Sequence, residues 1–353
     1  MFLGWALEAM DFYIASISLS EVAATFGISI SQMAVATTVT LAMRPVGAIL
    51  FGVLADRYGR RWPLIANVTI CALISLCSGF APNFAVFAFL RSIFGIAMGG
   101  EWALSAAMTM ESLPPACHGL FSGILHQASP FGNIMAALLH LLVFPRIGWR
   151  PLYWISVAPA VFIILLRFWV PESPEWLRAR AEAQARQLEQ LESATEKGTL
   201  RTVIHMLLLI SSLQFVNRSL TDLFPTIIQV QLKLPVSLIT VALISRDLGT
   251  MIGSTTSGYL SQFLGRKRVM LGSIALALAF VPLFVFAPLH YQIILGAVFI
   301  TIFIGGFNGV LAVFLHEVGP SRNRALFMGF TTQLANLITG ATAQIEAALA
   351  ERF

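Results

Sequence analysis

Two carboxylates, Glu8 and Asp11, stand three residues apart inside an otherwise apolar run. In a helix that spacing puts both on one face. Two neighbouring carboxyls in a low-dielectric cavity resist ionising together, so one holds a proton, the property a proton-coupling site needs. Arg44 lies at the middle of the next apolar run, where its planar fork can grip a carboxylate through two parallel hydrogen bonds. Its open alternatives are a bound anion or Asp11 or Glu8 themselves. Later in the chain, Gln214, Arg218 and Asp222 recur every four residues, flanked by Asn217 and Thr221. That makes a polar helix face, with Arg218 a second candidate anion ligand or an internal partner of Asp222. His126 and Gln127 add a titratable group and an amide in a further apolar run. Arg91, Glu101, Arg246 and Asp247 are also set among apolar residues. Each such charge costs about 2.5–3.5 kcal/mol at a lipid-facing helix centre. The set must therefore turn inward, to line an ion or substrate path or to form salt bridges that only fix packing; Arg246 and Asp247 fit packing better.

The elements that carry these residues follow from composition. Of 353 residues, 57% are hydrophobic and 11% charged, with a mean hydropathy of +0.81; soluble domains carry roughly 25% charged residues. This excludes a soluble enzyme, a nucleic-acid binder and a disordered regulator. At about 20 apolar residues per crossing, the stretches 2–25, 33–55, 63–80, 84–108, 119–143, 149–170, 202–229, 236–261, 268–287, 292–315 and 325–348 read as helical spans. Basic residues concentrate in alternate connections: Arg57, Arg60 and Arg61; Arg178, Arg180, Arg186, Lys197 and Arg201; Arg266, Lys267 and Arg268; Arg322 and Arg324. The other side holds Arg146, Arg150, Lys233 and Arg352. The bias places the N-terminus in the cytoplasm. Residues 171–201 mix acids and bases, with Arg178/Glu182 and Glu182/Arg186 at helical spacing, and read as a solvated linker helix. Cys71, Cys77 and Cys117 offer no disulfide framework. No metal-binding, phosphate-binding or nucleophile motif is present, so no enzyme activity, metal or cofactor is expected.

An internal repeat sets the architecture. GVLADRYGRR at 52–61 is echoed by GYLSQFLGRK at 258–267, so that Gly52, Gly59 and Arg60 match Gly258, Gly265 and Arg266 at a displacement of 206 residues. The same shift carries Gly47 to Gly253, Gly99 and Gly100 to Gly305 and Gly306, Glu111 to Glu317 and Gly123 to Gly329. Two halves of the same orientation are implied: a bundle over 1–170, the linker 171–201, and a second bundle over 202–353. Span six begins near Gly148, whose image falls one residue beyond Phe353. The expectation is six spans plus five, with the twelfth lacking. Small-residue pairs such as Gly95/Gly99 and Gly249/Gly253 suit close packing inside one bundle, so a monomer is expected.

The loop GVLADRYGRR resembles the signature between spans two and three of the major facilitator superfamily. Arg91-x-x-x-Gly95 with Gly99-Gly100, the seven-residue spacing of Glu317 and Arg324, and PESPEWL at 171–177 are similar to further signatures of that group. The resemblance implies an all-α polytopic membrane fold and a gating role for Asp56, Arg60, Arg61, Arg91, Glu101, Glu111, Arg266, Glu317 and Arg324. In the first half, the equivalent of the Glu317/Arg324 pair is Glu111 with His118. Glu8-x-x-Asp11-Phe12, Ser20-Glu21-Val22, Arg44 and Glu101 look most like the sialate/monocarboxylate:proton symporters. Of the span-seven pattern of the lactate branch, only Asp222 and Thr226 match, and Arg218 replaces its histidine.

The implied activity is symport of a small organic anion with protons by alternating access, in a multi-pass protein of the cell inner membrane. Glu8, Asp11, Arg44, His126, Gln127, Gln214, Arg218 and Asp222 would bind substrate or couple protons. A neutral sugar or metabolite porter, suggested by PESPEWL, and a non-transporting remnant or sensor are the competing readings.

Overall fold

The computed structural model describes residues 1–187, 199–221, 236–285, 290–320 and 323–341. Among these residues every regular element is helical. Hydrocarbon offers backbone N–H and C=O groups no partners, and a helix satisfies them within one segment. The helices are α1 (Phe2–Ile17), α2 (Leu19–Phe26), α3 (Ile30–Tyr58), α4 (Arg61–Gly79), α5 (Phe84–Ser112), α6 (His118–His126), α7 (Ala128–Leu142), α8 (Phe144–Ile147), α9 (Arg150–Ile155) and α10 (Val157–Arg167). They continue as α11 (Pro174–Gln187), α12 (Thr199–Thr221), α13 (Val236–Leu264), α14 (Arg266–Ala279), α15 (Val281–Val285), α16 (His290–Val318) and α17 (Arg324–Ile338). Each of the eleven apolar stretches overlaps at least one of them. Among the described residues, α3, α4, α5, the stretch Arg150–Arg167 and Ile294–Val318 are each long and apolar enough to cross a membrane. The pair α1–α2 makes a sixth if its two arms form one bent span.

The first stretch, 2–25, bends by 57° between α1 and α2. Ser18 sits at the break and its hydroxyl donates to the Ile14 carbonyl at 2.7 Å, competing with the backbone ladder as serine does inside helices. The start of α3 is set by a reciprocal cap. Gln32 N–H donates to the Ser29 hydroxyl at 3.2 Å, and Ser29 N–H to the Gln32 side chain at 3.1 Å. Gly59 closes α3 with φ of 99°, and Gly265 closes α13 with φ of 87°. Both signature loops turn through a backbone region that disfavours any side chain.

Packing sorts the described residues into two compact units. The first gathers those of Met1–Ser112, Phe131–Leu200 and Val318–Gln333; the second gathers those of Leu113–Pro130, Arg201–Glu317 and Leu334–Phe353. The apolar core of the first unit is built on Met10, Ile14, Val22, Met33, Phe87 and Tyr153. There Phe87 meets Tyr153 edge to face with ring centres 6.0 Å apart, a favoured arrangement of ring quadrupoles.

The repeat seen in sequence recurs in three dimensions. In the first unit a Cβ on Gly47 would strike the backbone of Ile96, and one on Gly99 the backbone of Arg44. In the second unit Gly253 meets Ile302, and Gly305 meets Thr250. Each of these pairs is its counterpart displaced by 206 residues. The glycines let α3 approach α5, and α13 approach α16, backbone to backbone. Gly47→Ala should therefore cost about 1–3 kcal/mol through overpacking and lower the melting temperature of the purified protein. Gly272→Ala, where a Cβ meets nothing within 4 Å, should leave it unchanged or raise it.

Candidate functional site

The first unit buries a polar site on α1. Glu8 and Asp11, each 4% exposed, line one cavity with Gly4, Cys71, Ser75 and Ser156. Its volume is about 20 Å³, room for a single water. Asp11 is held from three helices. Arg91 of α5 donates to one carboxylate oxygen at 3.1 Å. The other oxygen accepts from the Ser75 hydroxyl of α4, and from Ser156 at 3.3 Å. Arg91 also donates to Ser78 at 2.8 Å and stacks over Phe94 with 4.4 Å to the ring centre. Glu8 differs: neither of its buried oxygens has a hydrogen-bond partner among the described residues. An ionised carboxylate so placed would cost several kcal/mol. Arg44 sits at the middle of α3, half-buried, within electrostatic reach of Glu8.

One helical turn before Glu8, α1 abuts a second ion pair. Glu101 of α5 is fully buried and pairs with Arg167 at the end of α10. The second Glu101 oxygen accepts from Arg167 at 3.3 Å, and Ser105 donates to the first at 3.1 Å. Arg167 also donates to the Leu64 carbonyl. Arg167, inside the stretch 149–170, was not among the residues singled out from sequence; a glutamate set among apolar residues ten positions after Arg91 was the available clue that a basic partner was needed.

A third ion pair occupies the signature loop. Arg60, 2% exposed, grips both oxygens of Glu111 in a fork, at 3.0 and 2.9 Å, and pairs with Asp56 at 2.9 Å. Asp56 in turn accepts the N–H groups of Ala325 and Leu326, at 3.3 and 3.1 Å. Those are orphan donors at the N-terminus of α17, where negative charge is favoured. The segment read as a linker takes part. Glu172 accepts from the backbone of Arg60 at 2.8 Å and of Arg61 at 3.2 Å. Ser173 donates to Glu111 at 2.6 Å, and the Trp176 indole to the Asp56 carbonyl at 3.1 Å. Arg61 donates to the Phe168 carbonyl.

This constellation, on two copies of one helical plan, matches the Major Facilitator Superfamily, whose profile covers residues 1–341. The chain belongs to that superfamily. It is similar to a carboxylic acid transporter protein homolog of Saccharomyces cerevisiae, 28% identical over all of this chain and 61% of the relative. It is also similar to the sialic acid transporter NanX of Escherichia coli, 27% identical over 94% of this chain and 81% of NanX. The chain thus spans about three-fifths of the yeast relative's length and four-fifths of the bacterial one's. In fold it resembles the proton:xylose symporter XylE of E. coli, with a TM-score of 0.82 at 19% identity, over 99% of this chain and 88% of XylE.

Two pairings implied by superfamily spacing are not the ones formed. Glu111 binds Arg60 rather than His118. The His118 ring instead contacts the Leu113 carbonyl at 2.8 Å and meets the His316 ring edge to face, 5.5 Å away. Glu317 pairs with Arg266 at 2.9 Å, while Arg324 pairs with Glu175. In both halves the loop arginine captures the acid 51 residues later.

In the second unit, Gln127 donates to the Met251 carbonyl at 3.2 Å and to Thr255 of α13, which ties it to a neighbouring helix. His126 and Arg218 are half-buried. Gln214 is buried and accepts from Asn217 at 3.0 Å, while Asp222 lies outside the described residues. Arg246 folds onto Asp247 at 3.0 Å. The two loop pairs differ in burial, and that gives a test. Glu111→Ala strands a buried Arg60 and should cost about 3–5 kcal/mol. Glu317, 42% exposed in its side chain, should cost under about 1 kcal/mol when replaced by alanine; thermal melts of the two variants read the contrast.

Proposed function

We propose that the protein is a proton-coupled carrier of a small organic anion working by alternating access. The observation that carries this reading is the pocket on α1, where Asp11 is bound by Arg91 while Glu8, beside it, accepts no donor among the described residues. Acidic groups that share a small buried cavity exchange protons at low cost, because each change of charge is offset by its neighbour. Arg44, half-buried at mid-helix, and Arg218 supply cationic forks of the kind a carboxylate needs. The yeast and E. coli relatives, named for carboxylic and sialic acids, support an anionic substrate. On this reading the protein works in the cell inner membrane as a monomer with no cofactor beyond the coupling proton, and the distribution of basic residues supports a cytoplasmic N-terminus.

Proteoliposomes holding the full chain should accumulate labelled N-acetylneuraminate or lactate when the outside is acidified, and lose that accumulation with an uncoupler. Asp11→Asn should abolish accumulation while sparing exchange across equal concentrations. Arg44→Ala should lower uptake about tenfold or more, the equivalent of one lost charge-assisted pair. Gradient-independent uptake, or full activity in Arg44→Ala, would remove the mechanism.

The docking of Pro171–Leu177 onto the signature loop favours a second reading, a neutral sugar or metabolite porter. Thermal-shift comparison of matched acids and amides separates the two: stabilisation by both alike supports the neutral porter, and stabilisation by the acids alone supports the anion carrier.

A further inference from the structure

Three charged residues of α5 each bury an ion pair in the first unit: Arg91 with Asp11, Glu101 with Arg167, and Glu111 with Arg60. Ten residues, or about 15 Å of helix, separate one from the next. Glu8 is the buried carboxyl in this unit that the pairing leaves over, with both oxygens unpartnered among the described residues. It lies between the first pair and the second. Asp11 follows it by less than one turn on α1, and Gly4 precedes it by one turn, on the same face.

Gly4 brings the second pair close. A Cβ there would collide with the Arg167 guanidinium and with the nearer Glu101 oxygen, so the pair packs against the α1 backbone where any other residue would hold it off. Residues at i and i+4 are about 5–6 Å apart, so the Arg167 head, resting on Gly4, is one side-chain rotation from Glu8. The charged groups in electrostatic reach of Glu8 are Asp11 from α1, Arg44 from α3, Glu101 from α5 and Arg167 from α10. The Met1 amine stands in the same field beside Glu101 and Arg167. Cys71, Ser75 and Ser156 complete the cavity wall.

We propose that Glu8 and Glu101 form a second proton site, separate from the Asp11–Arg91 pair, in which one proton and the Arg167 guanidinium are shared between two carboxyls. In the conformation seen, the Glu8 carboxyl carries the proton and Glu101 is the ionised partner of Arg167. In the alternate state Arg167 turns to Glu8, which is then ionised, and the proton resides on Glu101. Charge is the same in both states: one O–H bond is broken on Glu8 and one formed on Glu101. The exchange moves a proton from α1, at the cavity it shares with Asp11, to α5 one level nearer the signature loop. Its use in transport rests on the carrier reading; its existence does not.

Infrared difference spectroscopy of the full chain in lipid tests this without a substrate, through the C=O stretch of a protonated carboxylic acid. The wild-type protein at neutral pH should show that band, and Glu8→Gln should remove it. Glu101→Gln frees Arg167 for Glu8 and should remove it as well. Arg167→Gln removes the cation the two acids share and should strengthen the band. A wild-type spectrum lacking the band overturns the proposal, as does a band that survives Glu8→Gln or is indifferent to Glu101→Gln. Glu8→Gln and Glu101→Gln keep side-chain size and a hydrogen-bonding head. If Arg167→Gln fails to fold, Arg167→Lys serves, with a weakened hold on Glu101 that shifts the band in the same direction. Failure of N-acetylneuraminate or lactate uptake by wild-type protein would strike the carrier reading and leave the infrared result standing.

Discussion

A guanidinium and a carboxylate that meet inside a helical bundle attract strongly, yet each has been stripped of water at a cost of several kcal/mol. The first unit is arranged around that constraint. Its long central helix, α5, presents arginine or glutamate at three levels, and each finds its counter-ion on a different neighbour: α1, α10, and the loop between α3 and α4. Because lipid would tolerate none of these charges alone, the pairs dictate which helix faces turn inward. The apolar core then fills around them, with Phe87 and Tyr153 packed beside the Arg91 guanidinium.

The same constraint makes the unit responsive. A buried pair whose partner is removed leaves an expensive orphan, so a proton arriving at one carboxyl changes the preferred partner of the arginine beside it. In the proton-exchange proposal Glu8 is the acid through which such a change enters, since it adds a group to the column without a donor of its own among the described residues. At the signature loop, burial serves the opposite end. Arg60 is held by Glu111, Asp56 and the Ala55 carbonyl together, while Asp56 and Glu172 cap backbone donors of α17 and of the loop itself. That many simultaneous contacts form one connected network of buried hydrogen bonds.

The glycines explain why two units can repeat one plan with different chemistry. Gly47 and Gly253 fix the same helix crossing in each unit, as do Gly99 and Gly305. The residue opposite the second of these crossings is Arg44 in one unit and Thr250 in the other. Backbone contact sets the scaffold, leaving the side chains projecting from it free to diverge.

Composition, the spacing of apolar runs and the 206-residue displacement pointed to the membrane-spanning helical class and to two related halves, because those properties are local or periodic; the family was legible through the resemblance of the GVLADRYGRR loop and its companion motifs. The shared face of Glu8 and Asp11 was equally legible, since a helix converts three-residue spacing directly into proximity. Partner choice was not. Arg91 and Asp11, Glu101 and Arg167, Arg60 and Glu111 are separated by 80, 66 and 51 residues, and no spacing rule joins them. Sequence motifs suggested Glu111 with His118 and Glu317 with Arg324; the folded chain gave both acids to the loop arginines. An ion pair is decided by which heads meet once helices have crossed, and those crossings depend on glycine contacts and on the bend at Ser18, which only the tertiary structure reveals.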